Sequence, residues 1–214
     1  SVGENGAGKT TIVKLLTLLF APIGGQILLN GKDAARFSPR SVQKEMSIIF
    51  QDFGQYQMTA RDNVALAEVS RLDDAAGVEA ATDRAGAEFV ETLPQGLDTP
   101  LGRLFQGGRQ LSGGQWQRLA LARLYFRDAS VLVFDEPTAA LDARAEFETI
   151  QALRDQTRER ITLLISHRFS TVRLADQIVV LSGGEIVESG SHEDLMALGG
   201  RYATLYDLQA RGYA

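Results

Sequence analysis

Cysteine is absent from the 214 residues, and His167 and His192 are the only histidines. The first absence excludes disulfides and cysteine-ligated metal, while leaving the redox compartment open. No apolar run approaches the roughly 18 residues that cross a bilayer. Lysine is scarce: of 22 basic side chains only Lys9, Lys14, Lys32 and Lys44 are not arginine. That imbalance reads as base composition of the source genome rather than as function. A basic footprint for nucleic acid is also missing, since the formal net charge is -5, and no nucleic-acid partner is expected. What is present is ordinary for a globular protein, with 44% hydrophobic and 23% charged residues. The length suits one domain with a real core. There is no internal repeat and no low-complexity segment.

The stretch that organises the chain is Gly3-Glu4-Asn5-Gly6-Ala7-Gly8-Lys9-Thr10-Thr11. It has the phosphate-loop spelling: Gly, four residues, then Gly-Lys-Ser/Thr. Glycines let the backbone curl so that successive N–H groups point into one concavity. A helix start adds unpaired N–H groups and partial positive charge. In such a loop Lys9 reaches the β- and γ-phosphates of a nucleotide, and the Thr10 hydroxyl holds Mg²⁺. Ile12 to Phe20 continues as an apolar, helix-compatible run. Phosphate loops follow a strand, and only Ser1 and Val2 precede this one. The expectation is a chain that starts just inside that strand and, alone, does not bind ATP tightly.

Along the chain, Gln26 to Asn30 reads as a short strand closed by the Asn30-Gly31 turn, and Met46 to Phe50 as another, ending at Gln51. Arg61 onwards carries helical spacing. Ala75 to Leu93 places Val78, Ala81, Ala85, Phe89 and Leu93 near one helix face, until Pro94-Gln95-Gly96 breaks it. Residues 97 to 110 are Gly-rich and loop-like. A helix follows from Ser112 to about Phe126. Val131 to Phe134 is continuous apolar, the pattern of a central parallel strand buried on both faces. Ala143 to Arg158 reads as an amphipathic helix. Ile161 to Ile165 and Ile178 to Leu181 read as buried strands, Glu185 to Glu188 as a short strand after Gly183-Gly184, and the tail from His192 as one or two helices. Strands alternating with helices imply an α/β fold with a parallel sheet and crossovers. Residues 52 to about 125 form a helical insertion.

Two further runs carry chemistry. Phe134-Asp135-Glu136 puts an acidic pair at the C-terminal end of a buried strand, where ligands bind in open α/β sheets. There Asp135 supports Mg²⁺ through water, and Glu136 polarises the attacking water. Leu111-Ser112-Gly113-Gly114-Gln115 offers Ser112 as an N-cap and a second helix N-terminus suited to phosphate.

Lys9, Gln51, the 111–115 run, Asp135-Glu136 and His167 occur in the order seen in the nucleotide-binding domains of ATP-binding cassette (ABC) transporters, and the resemblance covers essentially the whole chain. It implies a P-loop NTPase (RecA-like) core with a parallel sheet, over 1–51 and 126–190. It further implies a helical subdomain over 52–125 and C-terminal helices over 191–214. Gly3, Glu4, Asn5, Gly6, Ala7, Gly8, Lys9, Thr10 and Thr11 resemble Walker A. Gln51 matches the Q-loop glutamine, which in the family touches Mg²⁺ and senses the transmembrane coupling helix. Ser112, Gly113, Gly114 and Gln115 lie in a run similar to the signature motif, and Val131 to Glu136 resembles Walker B with its catalytic glutamate. Ala140-Leu141-Asp142 resembles the D-loop. His167 resembles the switch histidine that contacts the γ-phosphate.

Leu93 to Thr99, Ser166 to Arg173 and Gly190 to Leu195 are exporter-like. Many exporters carry a short Gly-Glu-Arg-Gly segment before the signature. Here Gly102 to Gln110 departs from it and Trp116, read as a packing residue, follows the signature, a variant similar to lantibiotic and other peptide exporters. The family's adenine-stacking aromatic lies upstream of Walker A, outside this sequence.

In the family two cassettes, identical or different, dimerise head to tail. Ser112 and Gly114 then serve the partner's ATP. The expected partners are ATP with Mg²⁺, a second cassette and a transmembrane domain fused upstream, at the cytoplasmic face of the cell (inner) membrane. Three rival classes are weaker. A GTPase needs Asn-Lys-x-Asp, which Asn30-Gly31-Lys32-Asp33 is not, and small-molecule kinases lack the signature run. A soluble ABC ATPase calls for a second cassette, coiled coil or basic arm. A regulatory cassette usually lacks the glutamate or the histidine, and both are here. In the full-length protein, Glu136→Gln is expected to bind ATP and lose nearly all steady-state hydrolysis. Turnover near that of the unmutated protein would remove Glu136 from its assigned role.

Overall fold

The computed structural model describes residues 2–3, 8–50, 52–104, 107–135, 150, 154 and 160–212. The chain opens with β1 (Val2–Gly3) and α1 (Lys9–Leu16). The helix stops four residues short of the apolar run that predicts it. Leu18 takes φ 53, in the left-handed region. Its N–H bonds the Leu15 carbonyl, and the Leu19 N–H returns to Lys14. This paired closure normally uses glycine, so Leu18 carries backbone strain of about 1 kcal/mol.

Next comes the hairpin β2 (Leu28–Leu29) and β3 (Lys32–Asp33), turned by Asn30 at φ 49 and Gly31 at φ 74. Positive φ at both central residues is the geometry that Asn-Gly favours. The ladder is only two residues deep on each side, shorter than the Gln26 to Asn30 strand expected. The sequence reading passes over α2 (Pro39–Lys44), which has Ser38 as N-cap and Pro39 at its first position. Both are standard helix-start signals.

β4 (Met46–Ile49) leads into α3 (Ala60–Ala65) and α4 (Ala75–Arg84). The expected helix over Ala75 to Leu93 is broken at Gly86, φ 61, where Ala87 N–H returns to Thr82 and Gly86 N–H to Asp83. A 3₁₀ turn, Glu88–Thr92, follows. Val78, Ala81 and Ala85 are buried, and Phe89 and Leu93 pack on the same cluster. The apolar face continues across the break that Gly86 makes in the helix.

α5 (Gly113–Phe126) and β5 (Val131–Asp135) come next, followed by β6 (Ile161–Ile165), α6 (Phe169–Val172), β7 (Ile178–Ser182), β8 (Glu185–Gly190), α7 (His192–Leu198) and α8 (Arg201–Gly212). The expected helix over Ala143 to Arg158 lies outside the described residues except at Ile150 and Arg154, which are helical.

Three ladders result: β4-β5-β6, parallel throughout; β1-β7-β8, with β1 parallel and β8 antiparallel to β7; and the β2-β3 hairpin. β5 is the middle strand of the first. Its Leu132 and Phe134 join the large cluster containing α3, α4 and α5. Val133 and Val131 pack with Val13 of α1 and with Ile165, Ile48 and Leu163. Alternate residues of β5 thus enter two different cores, as expected of a strand covered on both faces. Each fully buried Leu, Val or Phe stabilises the fold by about 1.5–3 kcal/mol. β6 departs from expectation. Ile161 is 70% exposed and Thr162 is exposed, and burial is reached only at Ile165. Among the described residues β6 is the edge of its ladder, so its first residues lack a neighbour on one side.

The insertion and its flanks are tied together by side chains that bond backbone carbonyls. Arg71 donates to the Phe126 carbonyl at 2.8 Å and Arg127 to Gln43 at 2.8 Å; Arg118 donates to Gly86. Arg123 donates to Gly54 at 2.7 Å and lies 4.9 Å over the Tyr56 ring. That contact joins α5 to the segment following β4. Burial pushes the Arg123 guanidinium below its ordinary pKa, with Tyr56 opposing. Asn63, fully buried, donates to the carbonyls of Tyr56 at 2.9 Å and Thr59 at 3.0 Å. Alanine removes both bonds and leaves a void at a fully buried position, while the Tyr56 and Thr59 carbonyls each keep one backbone donor, from Met58 and from residue 63 itself. Asn63→Ala is expected to cost about 2–3 kcal/mol, read from the urea midpoint. A loss below about 0.5 kcal/mol would show that water replaces the amide.

Candidate functional site

Parallel pairing decides where the candidate residues emerge. Ile49 of β4 pairs with Phe134 of β5, and Asp135 pairs with Ile165 of β6. The chain therefore leaves all three strands at one sheet edge, towards Gln51, Glu136 and Ser166-His167. Asp135 is 8% exposed there. Ser166 is buried, and its Oγ accepts the Arg168 N–H at 3.0 Å, tightening the turn out of β6. His167, the next residue, is exposed.

The run expected to be Walker A is described at its two ends. Gly3 closes β1, and its register partner is Leu181. Gly8 is the N-cap of α1 at φ 97. A Cβ there would meet nothing nearer than Gly184 Cα at 4.0 Å, so conformation and not space requires glycine. Glycine offers no capping side chain, and the first turn of α1 carries no acid. The turn that starts with Lys9, Thr10 and Thr11 therefore presents the positive end of a helix dipole, which favours an anion. Thr10 and Thr11 are exposed. The close approach of Gly8 to the Gly183-Gly184 turn of β7–β8 is a neighbour that sequence reading did not foresee.

Ser112 caps α5 as expected, and reciprocally. Its Oγ accepts the Gln115 N–H at 3.2 Å, and Gln115 Oε1 accepts the Ser112 N–H at 2.9 Å. Ser112 and Gly113 are exposed, Gly114 and Gln115 partly so. Trp116 is 2% exposed within the helical cluster, in keeping with a packing residue. Glu4, Asn5, Gly6, Ala7, Gln51, Glu136 and Asp142 lie outside the described residues.

The structure thus brings Asp135 and His167 to one edge and places Ser112 to Gln115 on a different element, in the helical cluster. One residue that sequence reading missed touches the edge. Gln209, on α8, donates from Nε2 to the His167 carbonyl at 3.0 Å and accepts the Phe169 N–H on Oε1 at 2.8 Å. No local pattern signals a pairing between residues so far apart in sequence.

The donor set suits a nucleotide phosphate chain with a hard cation. It combines an uncapped helix N-terminus, a lysine, an exposed threonine hydroxyl and a nearly buried carboxylate.

The family model described as ABC transporter matches residues 2–139. The chain is 42% identical over 196 residues to the "Subtilin transport ATP-binding protein SpaT" of Bacillus subtilis, covering 91% of this chain and 32% of that protein. It is 42% identical over 208 residues to the "ATP-dependent lipid A-core flippase" of Methylococcus capsulatus, covering 97% of this chain and 34% of that one. A solved "bacterial Atm1-family ABC exporter with ATP bound" superposes with a TM-score of 0.89 at 39% identity, over 98% of this chain and 36% of that chain. The chain thus spans about a third of the length of the relatives it matches. It belongs to the ABC transporter family, and within it is an ATP-binding cassette of the exporter type, with the α/β P-loop fold.

Proposed function

We propose that this chain binds ATP with Mg²⁺ at the sheet edge and hydrolyses it to drive export through a transmembrane domain. The emergence of Asp135 and His167 from adjacent parallel strands carries this reading, since it puts an acid and an imidazole at one edge of the sheet that α1 packs on. Residues 1–51 and 126–190 form the nucleotide-binding core, 52–125 the helical subdomain and 191–214 the C-terminal helices. Gly3, Glu4, Asn5, Gly6, Ala7 and Gly8 wrap the phosphates. Lys9 neutralises their charge, and Thr10, Thr11, Gln51 and Asp135 hold the phosphate–metal end.

Glu136 accepts the proton of the attacking water, and His167 donates to the γ-phosphate. Asp142 lies in the D-loop between the two cassettes. Thr10, Gln51 and Asp135 would hold Mg²⁺, which would supply charge neutralisation at the phosphates. The chain's own contribution is to position groups and stabilise developing charge.

Ser112, Gly113, Gly114 and Gln115 complete the ATP site of a second cassette in a head-to-tail dimer. The Ser112 hydroxyl and the N–H groups of Gly113 and Gly114 face the partner's γ-phosphate, since the Ser112 and Gln115 N–H groups serve the reciprocal cap. Closing and reopening that dimer moves the transmembrane helices, at the cytoplasmic face of the membrane. The transport path is assigned to a further domain of the full-length protein, and among the described residues no helix is long and apolar enough to cross a membrane.

The test uses the full-length protein. ATP hydrolysis is expected to require Mg²⁺ and to stop with EDTA. Ser112→Arg is expected to lower turnover ~100-fold while a fluorescent ATP analogue still binds within ~3-fold of normal affinity. Loss of binding in proportion to turnover would place Ser112 in its own chain's site and defeat the composite arrangement.

A further inference from the structure

The short helix α6 begins two residues after His167, beside the candidate edge. It is four residues long, and its N-cap, Arg168, makes no side-chain capping bond. A helix start leaves N–H groups without intrahelical acceptors. For Phe169, the first residue of α6, the acceptor comes from far along the chain, in Gln209 Oε1 at 2.8 Å. The same carboxamide donates from Nε2 to the His167 carbonyl at 3.0 Å. One planar group therefore bridges both sides of Arg168 and fixes the orientation of two peptide units. His167 sits in the first of them.

α8 is itself firmly placed. The Glu188 carboxylate of β8 accepts the N–H groups of Arg201 and Tyr202, capping α8 from a neighbouring strand. A Cβ on Gly200 would fall 2.3 Å from Glu188 Oε1, so glycine is needed for that carboxylate to approach. The Phe169 ring packs edge-on against Tyr202 at 5.3 Å and Tyr206 at 5.6 Å. Tyr202, fully buried, shares a hydrogen bond with His192 Nδ1 at 2.9 Å. Burial, then Tyr206 and Glu193, push its phenol up to about 12, with Arg173 opposing, so it stays protonated at neutral pH. Gln209 thus reaches the loop from a helix held by a cap at one end and by aromatic packing along its side.

We propose that Gln209 is a positioning residue for His167, through which the C-terminal helix sets the aim of the histidine at the candidate edge. This deepens the function proposed above and rests on the reading of His167 as the switch histidine. Glutamine is suited because it donates and accepts at once. Leucine fills similar volume with neither group. Glutamate keeps an acceptor for Phe169 N–H but sets a carboxylate oxygen against the His167 carbonyl, and asparagine is one methylene too short to bridge both.

The experiment is a double-mutant cycle in the full-length protein, with Gln209→Leu, His167→Ala and both together. Gln209→Leu is expected to lower kcat for ATP hydrolysis ~10-fold with KM within ~2-fold, and to change the residual rate of His167→Ala by less than ~2-fold. Gln209→Glu is expected to lose a similar share of kcat. Equal proportional losses in both backgrounds, or an unchanged kcat, would overturn the proposal. Hydrogen exchange at the Phe169 amide gives a readout independent of catalysis. Gln209→Leu is expected to speed it at least ~10-fold while α4 and α5 stay protected. If the unmutated protein fails to hydrolyse ATP, the proposed function falls by itself. In that case an unchanged Phe169 exchange rate overturns the tether, and accelerated exchange upholds it.

Discussion

The parallel pairing of Val131–Asp135 with a strand on each side is the constraint on which the rest depends. In a parallel ladder every strand ends at the same edge, and every connection must cross back over a face of the sheet. Leu132 and Phe134 face one layer of helices, Val131 and Val133 the other. A register slip of one residue would exchange those two sets and move the Asp135 carboxylate off the edge. Apolar continuity in β5 therefore does two jobs: it fills two cores, and it delivers an acid to the same level as the turn out of β6.

What was legible in the sequence was what local chemistry writes. The reciprocal cap of Ser112 and Gln115 follows from the residues themselves. So does the Asn30-Gly31 turn, and so does the double burial of β5. Periodicity also identified the apolar face of Val78, Ala81 and Ala85. It overran the helix at Gly86 because a face can continue across a break, with Phe89 and Leu93 returning to the same cluster on a 3₁₀ turn. At Leu18 the opposite happened. A residue that nothing in its type marks as a stop adopts the left-handed conformation, because the two closing hydrogen bonds back to Leu15 and Lys14 offset its strain. The exposure of Ile161 is a property of ladder order, which one strand's own sequence does not contain.

The candidate site divides in the same way. Motif spelling and order pointed to Gly8, Lys9, Asp135 and His167, and the topology explains why Asp135 and His167 share one edge. Gln209 and the Gly183-Gly184 turn were invisible, since their relation to the site is an approach in space between distant segments. Residues that hold a functional group by its backbone leave little trace in local pattern. They choose a carbonyl or an N–H, and every residue has those.

The arginine excess also looks different in the folded chain. Composition alone assigned it to the source genome, yet Arg71, Arg118, Arg123 and Arg127 each donate to a distant carbonyl. A guanidinium offers five donors on a planar fork, where an ammonium offers a point charge. The amines, by contrast, are few, and one of the four is Lys9. These cations thus differ by chemical kind: guanidiniums join the insertion to itself and to its flanks, and an amine stands at the start of α1. Acylating chemistry, which consumes amines and spares guanidiniums, would strike the phosphate loop and leave the architecture around it standing.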